Sequence, residues 1–320
     1  MAGLGSLAVG PATVQPALAV GPATVQPALA VSPGVPVERL ARDERFWAAV
    51  SRQFRVSPDF VNLENGYYGV MPEPVRVAYH RAVDHLNEQN SHLLRTTYKA
   101  QADQVRRRIA GLLGVETAEI ALTRGGTEAL QNLIAGLGAE FAAFSLHKWM
   151  GLPLGAGFLY IRKSRLPDIE AAFADETYPG DDIRSRVHSG TMNVAPILTA
   201  GAALDFHDTL GAPLKQTRLR YLRDRWVHQV RDLPNVEILT PDDTAMYGAI
   251  TAFRIRGRTS EADNVAITDR LMNHHRIFTV RRGGLIGGDC VRVTPALFTS
   301  VNDVDRLATA LPEVAHRMRR

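Results

Sequence analysis

The sequence predicts an α/β fold in two parts behind a tail. A larger domain spans residues 37–202, a smaller C-terminal α/β domain spans residues 203–320, and residues 1–36 form a disordered Pro/Ala repeat. Three observations predict this. A short apolar strand pattern at 119–123 turns through Arg124-Gly125-Gly126-Thr127 into a helical pattern. Two more apolar segments, one at 141–144 and one at 157–161, read as strands. Beyond Pro234, short strand patterns alternate with helical ones, as a separate α/β layer requires.

Taken in order, the chain opens on a repeat. Residues 9–19 read VGPATVQPALA, residues 20–30 repeat them letter for letter, and no charge precedes Glu38. Proline every few residues blocks both helix and central strand, so the tail is expected to be disordered. It ends in Ala28-Leu29-Ala30, which mimics a signal-peptidase site, but it lacks a basic start and an uninterrupted apolar stretch, so secretion is not expected. A helix is expected over 37–54 with Phe46, Trp47 and Val50 on one side. Another starts at Pro74 and runs to about 88, and a third covers 99–113, stopped by Gly114. After the strand at 119–123, Ala129, Leu130, Leu133, Ile134 and Leu137 recur at helical spacing over 128–137. A long helix follows Ala195 into Leu210 and ends at Gly211, and Pro213 starts another reaching about 233. Strands are then expected at 236–239, 249–256, 279–281 and 290–294, with helices at 262–274 and 301–311. The glycine-rich run from Gly283 to Gly288 lacks the strand-to-helix context of a dinucleotide turn and reads as a hairpin loop.

Composition excludes several classes. The 320 residues are 45% hydrophobic, enough for a globular core, and the formal charge of +4 is mild for this length. Arg218, Arg220, Arg223 and Arg225 cluster on a predicted helix beside Leu219, Leu222 and Trp226, which reads as a solvated face rather than a nucleic-acid patch. One cysteine, Cys290, permits no internal disulfide and suits a reducing, cytoplasmic setting. No apolar run spans a bilayer. His80, His85 and His92 are not three or four apart, so one helix cannot clamp a metal with them.

Lysine is scarce: the only lysines are Lys99, Lys148, Lys163 and Lys215, although Lys plus Arg total 37. Lys148 lies in Phe144-Ser145-Leu146-His147-Lys148-Trp149-Met150-Gly151, between two apolar runs. Burial there would lower its pKa and expose a nucleophilic amine suited to Schiff-base formation; the other reading is a lysine that snorkels from a strand end. Upstream, the Gly125-Gly126-Thr127 turn opens a helix, where free backbone N–H groups and the helix dipole make an anion site. Most such turns bind nothing on their own.

The Ser145-x-His147-Lys148 pattern, followed by Gly155-Ala156-Gly157-Phe158-Leu159-Tyr160-Ile161, resembles the lysine segment of the class V aminotransferases, a pyridoxal-phosphate group of fold type I that includes cysteine desulfurases and isopenicillin-N-epimerase-like proteins. Three other blocks agree: Leu63-Glu64-Asn65-Gly66-Tyr67-Tyr68-Gly69, Ser189-Gly190-Thr191-Met192-Asn193 and Val291-Arg292-Val293-Thr294-Pro295. The epimerase-like branch matches best, and the resemblance runs from about Val37 to the C-terminus. It implies a pyridoxal-phosphate-dependent-transferase-like large domain and pyridoxal 5'-phosphate as cofactor. Lys148 would be the Schiff-base lysine and the catalytic base. Gly125, Gly126, Thr127, Ser145, His147 and Thr191 would hold the phosphate, Thr191 across a homodimer. Asn65 and Gly66 would lie near the substrate, and Arg292 would grip its carboxylate with a planar fork. The implied substrate is an amino acid, transformed at Cα by transamination, epimerisation or elimination, with no nucleic-acid, membrane or metal partner.

The chain departs from the family between Leu137 and Phe141. At roughly 30 residues per βαβ unit, two or three units are absent there, which leaves a truncated large domain with a reduced sheet of three neighbouring strands. The absent part carries the family's aspartate opposite the pyridine nitrogen, and Glu140, Asp168 and Asp175 occupy no matching motif. The expectation is therefore impaired catalysis, with a non-catalytic remnant that binds the cofactor or a partner chain as the alternative. Cysteine desulfurase ranks lower, because Cys290 stands only two positions before Arg292, within a predicted strand.

Overall fold

A computed structural model describes residue 29 and residues 34–123, 141–172, 178–187, 192–284 and 286–318. Gly125, Gly126, Thr127 and Thr191, the helix expected over 128–137 and nearly all of the tail lie outside the described residues.

The N-terminal helical region is two helices, α1 (Val37–Ala41) and α2 (Glu44–Ser51), rather than one. Asp43 breaks it: its carboxylate accepts from the amides of Arg45 and Phe46 and starts α2 as a cap. A two-residue strand, β1 (Val61–Asn62), follows. Helix α3 (Glu73–Thr96) outruns the expected end near 88, with a non-helical Asn90 at φ 48° interrupting it. Helix α4 (Tyr98–Leu113) stops at Gly114, which takes the left-handed conformation at φ 68°.

Strands β2 (Ile120–Thr123), β3 (Phe141–Ser145) and β4 (Gly157–Ile161) form the three-stranded sheet expected from the sequence. The order is β2-β4-β3, with β4 antiparallel to both neighbours and Ser145 opposite Gly157. Phe144 stacks on Phe158 with ring centroids 4.5 Å apart. One face of this sheet closes a core with Val75, Val105, Ile109, Ile120, Leu146 and Phe158. Helix α5 (Ala195–Leu210) supplies Ile197, Ala200 and Ala203 to the same core. The domain boundary expected at 202/203 falls inside this continuous helix.

Gly211 separates α5 from α6 (Ala212–Val230). Strands β5 (Val236–Ile238), β6 (Thr251–Ile255), β7 (Ile277–Phe278), β8 (Val280–Arg282) and β9 (Cys290–Val293) follow, with helices α7 (Glu261–His275) and α8 (Val301–Arg317) between and after them. The sheet order is β5-β6-β9-β8, all antiparallel. The run from Gly283 to Gly288 is the connection between the antiparallel neighbours β8 and β9, as the hairpin reading required. Leu222, Trp226, Phe253, Ile267, Leu271, Val291, Val293 and Leu307 fill the core between this sheet and α6, α7 and α8. Ser260 and Ser300 form capping boxes with Asp263 and Asp303.

The arginine helix is not a purely solvated face: Arg218 and Arg223 in α6 are fully buried. Both are held by ion pairs and stacked rings, Arg218 on Glu44 and Trp47, Arg223 on Asp224, Asp242 and Tyr247.

Two long-range pairings matter for the site. β1 runs parallel to β7, Val61 beside Ile277, and Glu64 bridges Thr294 just beyond β9. They fasten the loop at 64–69 to the C-terminal sheet.

Candidate active site

Lys148 lies three residues past the end of β3, on a turn closed by hydrogen bonds. The Leu146 amide donates to Ala156 O at 3.0 Å, the Gly151 amide to Lys148 O at 3.2 Å, and the Leu152 amide to Leu146 O at 3.1 Å. Leu146 and Leu152 are buried and anchor the turn in the core, while Lys148 itself is half-buried rather than enclosed.

The loop at 64–69 packs directly against that turn. The Gly69 amide donates to His147 O at 2.9 Å, and a Cβ on Gly69 would come within 1.9 Å of Lys148 O. Two backbones approach here more closely than any side chain allows, so glycine is required. Tyr68 stacks on the His147 ring, centroids 5.9 Å apart and planes 23° apart. Burial, then the Lys148 charge, holds the His147 imidazole below its ordinary pKa, so it is neutral at pH 7. Its Nδ1 is buried without a hydrogen-bond partner among the described residues. Burial also raises the Tyr68 phenol.

The other end of the loop meets β9. Asn65 donates through Nδ2 to Thr294 O at 2.9 Å. Arg292 Nη2 donates to Glu64 Oε1 at 2.5 Å, and a Cβ on Gly66 would lie 2.8 Å from Arg292 Nη2. A short loop thus touches the Lys148 turn at Gly69 and the Arg292 guanidinium at Gly66. Asn65, Gly69, Lys148 and Trp149 also line a cavity of about 30 Å³ closed by Phe54, Phe206, His207 and Phe298. That is room for a water molecule. None of its lining residues is a carboxylate.

The structure therefore brings together Ser145, His147, Lys148, Asn65, Gly66 and Arg292. Sequence reading missed Glu64, Tyr68 and His207. Glu64 and Tyr68 stand inside the quoted loop motif but carried no role in it. His207 stands between Phe206 and Asp208 in α5, and no sequence signal marked it. Cys290 begins β9, is 2% exposed, and burial raises its thiol pKa.

Comparison with known proteins bears on the family and the fold. The family model described as Aminotransferase class-V matches residues 132–307. Isopenicillin N epimerase of Streptomyces clavuligerus is 28% identical over 188 residues, covering 54% of this chain and 46% of the epimerase. Probable cysteine desulfurase 2 of Mycobacterium leprae is 26% identical over 192 residues, covering 55% of this chain and 45% of its own length. The chain thus spans about half the length of the curated relatives it matches. Among solved structures, the apo cysteine desulfurase of Thermococcus onnurineus NA1 superposes with a TM-score of 0.67 at 15% identity, covering 83% of this chain and 97% of that one. A C-DES lysine-to-alanine mutant with glycine covalently linked to its pyridoxal-phosphate cofactor gives 0.68 at 15% identity, covering 82% and 98%. The fold is the one these proteins share.

Proposed function

The chain belongs to the aminotransferase class-V family, and on that premise we propose that it binds pyridoxal 5'-phosphate at Lys148 and acts at the Cα of an amino acid. The observation that supports this most is the convergence of Lys148, His147 and Arg292 on the loop at 64–69. The residues present fit the cofactor's reactive and phosphate ends. His147 Nδ1 is buried and unpartnered next to a half-buried amine, and an orphaned polar atom in such a place calls for a polar group of a bound molecule. Ser145, His147, Gly125, Gly126, Thr127 and Thr191 would hold the phosphate, and Lys148 would carry the cofactor.

When bound, pyridoxal phosphate supplies an electron sink for charge at Cα. The protein does the rest. Arg292 binds the substrate carboxylate through its fork, with Gly66 leaving space for the guanidinium. The Lys148 amine takes the Cα proton and returns it. Neutral His147 adds no competing positive charge beside that amine. Transamination, epimerisation and elimination share this proton removal, and the proposal covers the shared step. Homodimerisation and a cytoplasmic setting belong to the same reading; the single, buried Cys290 supports the latter.

Sulfur transfer is the weaker reading. A persulfide-carrying cysteine must be exposed and ionisable, whereas Cys290 is buried in a strand with its pKa raised. The non-catalytic alternative rests on the departure from the family's pattern between Leu137 and Phe141.

The test is direct because lysine is scarce. The purified chain is mixed with pyridoxal phosphate, its absorbance recorded, the adduct reduced with borohydride and the peptides mapped. The label is expected on Lys148 and absent from Lys148→Ala. A label on Lys99, Lys163 or Lys215, or one that persists in the variant, ends the assignment.

A further inference from the structure

Arg292 is already engaged by a carboxylate of the chain itself. An arginine and a carboxylate normally meet through two parallel bonds, but Glu64 and Arg292 make one, from Nη2 to Oε1 at 2.5 Å. The Nε of Arg292 and the Oε2 of Glu64 are both buried and have no hydrogen-bond partner among the described residues. Side chains of both residues are largely shielded, Glu64 5% and Arg292 17% exposed. A buried pair that leaves one donor and one acceptor idle is a poor final arrangement.

A second cation stands beside it. Arg282 Nη2 is 3.9 Å from the same Glu64 Oε1, and Arg282 Nε has no hydrogen-bond partner among the described residues. In the β8–β9 register, Arg292 pairs with Val280 and Arg282 with Cys290. The two-residue step from 280 to 282 puts both arginines on one face of the hairpin. Meanwhile the Glu64 backbone is fixed: its amide donates to Asn62 Oδ1 at 2.9 Å, and the preceding Leu63 O accepts from the Thr294 amide at 2.7 Å. The side chain is held through Oε1 alone, by Arg292 and by the Tyr67 amide at 3.0 Å, so it can turn toward Arg282 by giving up the Arg292 bond.

We propose that Glu64 is a displaceable internal ligand of Arg292, replaced by the carboxylate of an incoming amino acid and received by Arg282. The proposal rests on the reading of Arg292 as the substrate-carboxylate residue. A free carboxylate can align with Nε and Nη2 together and satisfy the idle donor. Glu64, moved toward Arg282, finds donors for its idle oxygen. The two arginines and one glutamate carry a net charge of +1, which a single added carboxylate neutralises, so the site suits a substrate presenting one carboxylate here. Glu64 then sets affinity and selectivity: uncharged or esterified analogues cannot compete with it.

The experiment is calorimetric titration of the full-length chain with sodium propionate, with and without pyridoxal phosphate, on wild type, Glu64→Gln, Arg282→Gln, Arg292→Gln and the Glu64→Gln/Arg282→Gln double variant. Circular dichroism checks folding of each. Glutamine keeps an acceptor for the Tyr67 amide, which donates to Glu64 Oε1 at 3.0 Å. Glu64→Gln is expected to bind propionate about tenfold more tightly than wild type, since it removes one charge-assisted competitor. Arg282→Gln should weaken binding more where Glu64 is present than in the Glu64→Gln background, where only its long-range charge is lost. Unchanged, weaker or absent binding by folded Glu64→Gln overturns the proposal, and an equal loss from Arg282→Gln in both backgrounds overturns the receiving role. If propionate binds Arg292→Gln as well as wild type, the underlying reading of Arg292 fails. Binding lost in that variant yet indifferent to Glu64 removes only the displacement.

Discussion

His207 shows how burial sets the chemistry of one residue. It lies on α5 behind the Lys148 turn and lines the same cavity as Lys148. Lys215 Nζ is 2.7 Å from His207 Nδ1, and the ring also hydrogen-bonds the backbone of Met150. An ammonium beside Nδ1 requires that nitrogen to be the acceptor, so the ring is neutral with its proton on the other nitrogen. Burial, then the Lys215 charge, pushes His207 down to about 3, and burial lowers Lys215 to about 8. Between pH 6.5 and 3 the unfolded chain binds the extra proton and the folded chain does not. The stability linked to His207 is thus complete above about 6.5 and lost progressively as the pH falls, with a slope of at most ~1.4 kcal/mol per pH unit. Urea unfolding at pH 7 and pH 5 should show this drop in wild type and a smaller one in His207→Gln; equal drops would contradict it. This pair was not legible in the sequence. Its members are eight residues apart across the Gly211 corner, and no helical or strand period joins them.

At the scale of elements, the sequence was most legible where local rules decide. Helices α5 to α8 start at prolines or capping serines, α8 running to Arg317 past its expected end at 311, and the strands of both sheets lie within a few residues of their expected positions. The pairing of β1 with β7 was invisible, because two-residue strands some 216 positions apart carry no local signal. The arginine helix failed for a related reason: periodicity gives a helix its faces but not the neighbours that cover them. Arg218 is buried because α1, α2 and the loop before α8 close over it. It donates to Ala41 O at 3.1 Å and to Thr299 O at 3.2 Å, pairs with Glu44, and lies 5.0 Å from the centroid of the Trp47 ring. Arg225 on the same helix is 39% exposed and pairs with Asp305 at 2.7 Å. Arg218→Ala should therefore cost about 2–4 kcal/mol, because it strands Glu44 and two carbonyls and removes packing. Arg225→Ala should cost only about 0.2–1 kcal/mol, the range for exposed pairs. Denaturant midpoints would rank the two; equal losses would restore the view of α6 as a solvated face.

At the scale of the whole molecule, the question is what a chain whose match spans about half the length of its curated relatives can still do. The described large-domain sheet has three strands, with β2 and β3 flanking β4. That much was legible, since strand patterns and the lysine motif are local. The partner for the cofactor's ring was legible only as a missing motif between Leu137 and Phe141, and residues 124–140 lie outside the described ones. A carboxylate in a low-dielectric site holds a nearby base protonated by Coulomb attraction. Each 1.4 kcal/mol of lost stabilisation for charge at Cα slows proton removal about tenfold. Positioning is less affected, because the Lys148 turn, the loop at 64–69 and β9 remain fastened together. The expected outcome is a chain that takes up pyridoxal phosphate at Lys148 yet exchanges Cα hydrogen far more slowly than a full-length relative. Nuclear magnetic resonance of amino acids incubated in deuterium oxide reads that step whatever product follows. Exchange at rates on the order of one per second, abolished by Lys148→Ala, would show that the chain keeps a working electron sink and that the impaired reading is wrong. Cofactor uptake without measurable exchange would mark Lys148 as a binding lysine whose catalytic partner has been lost.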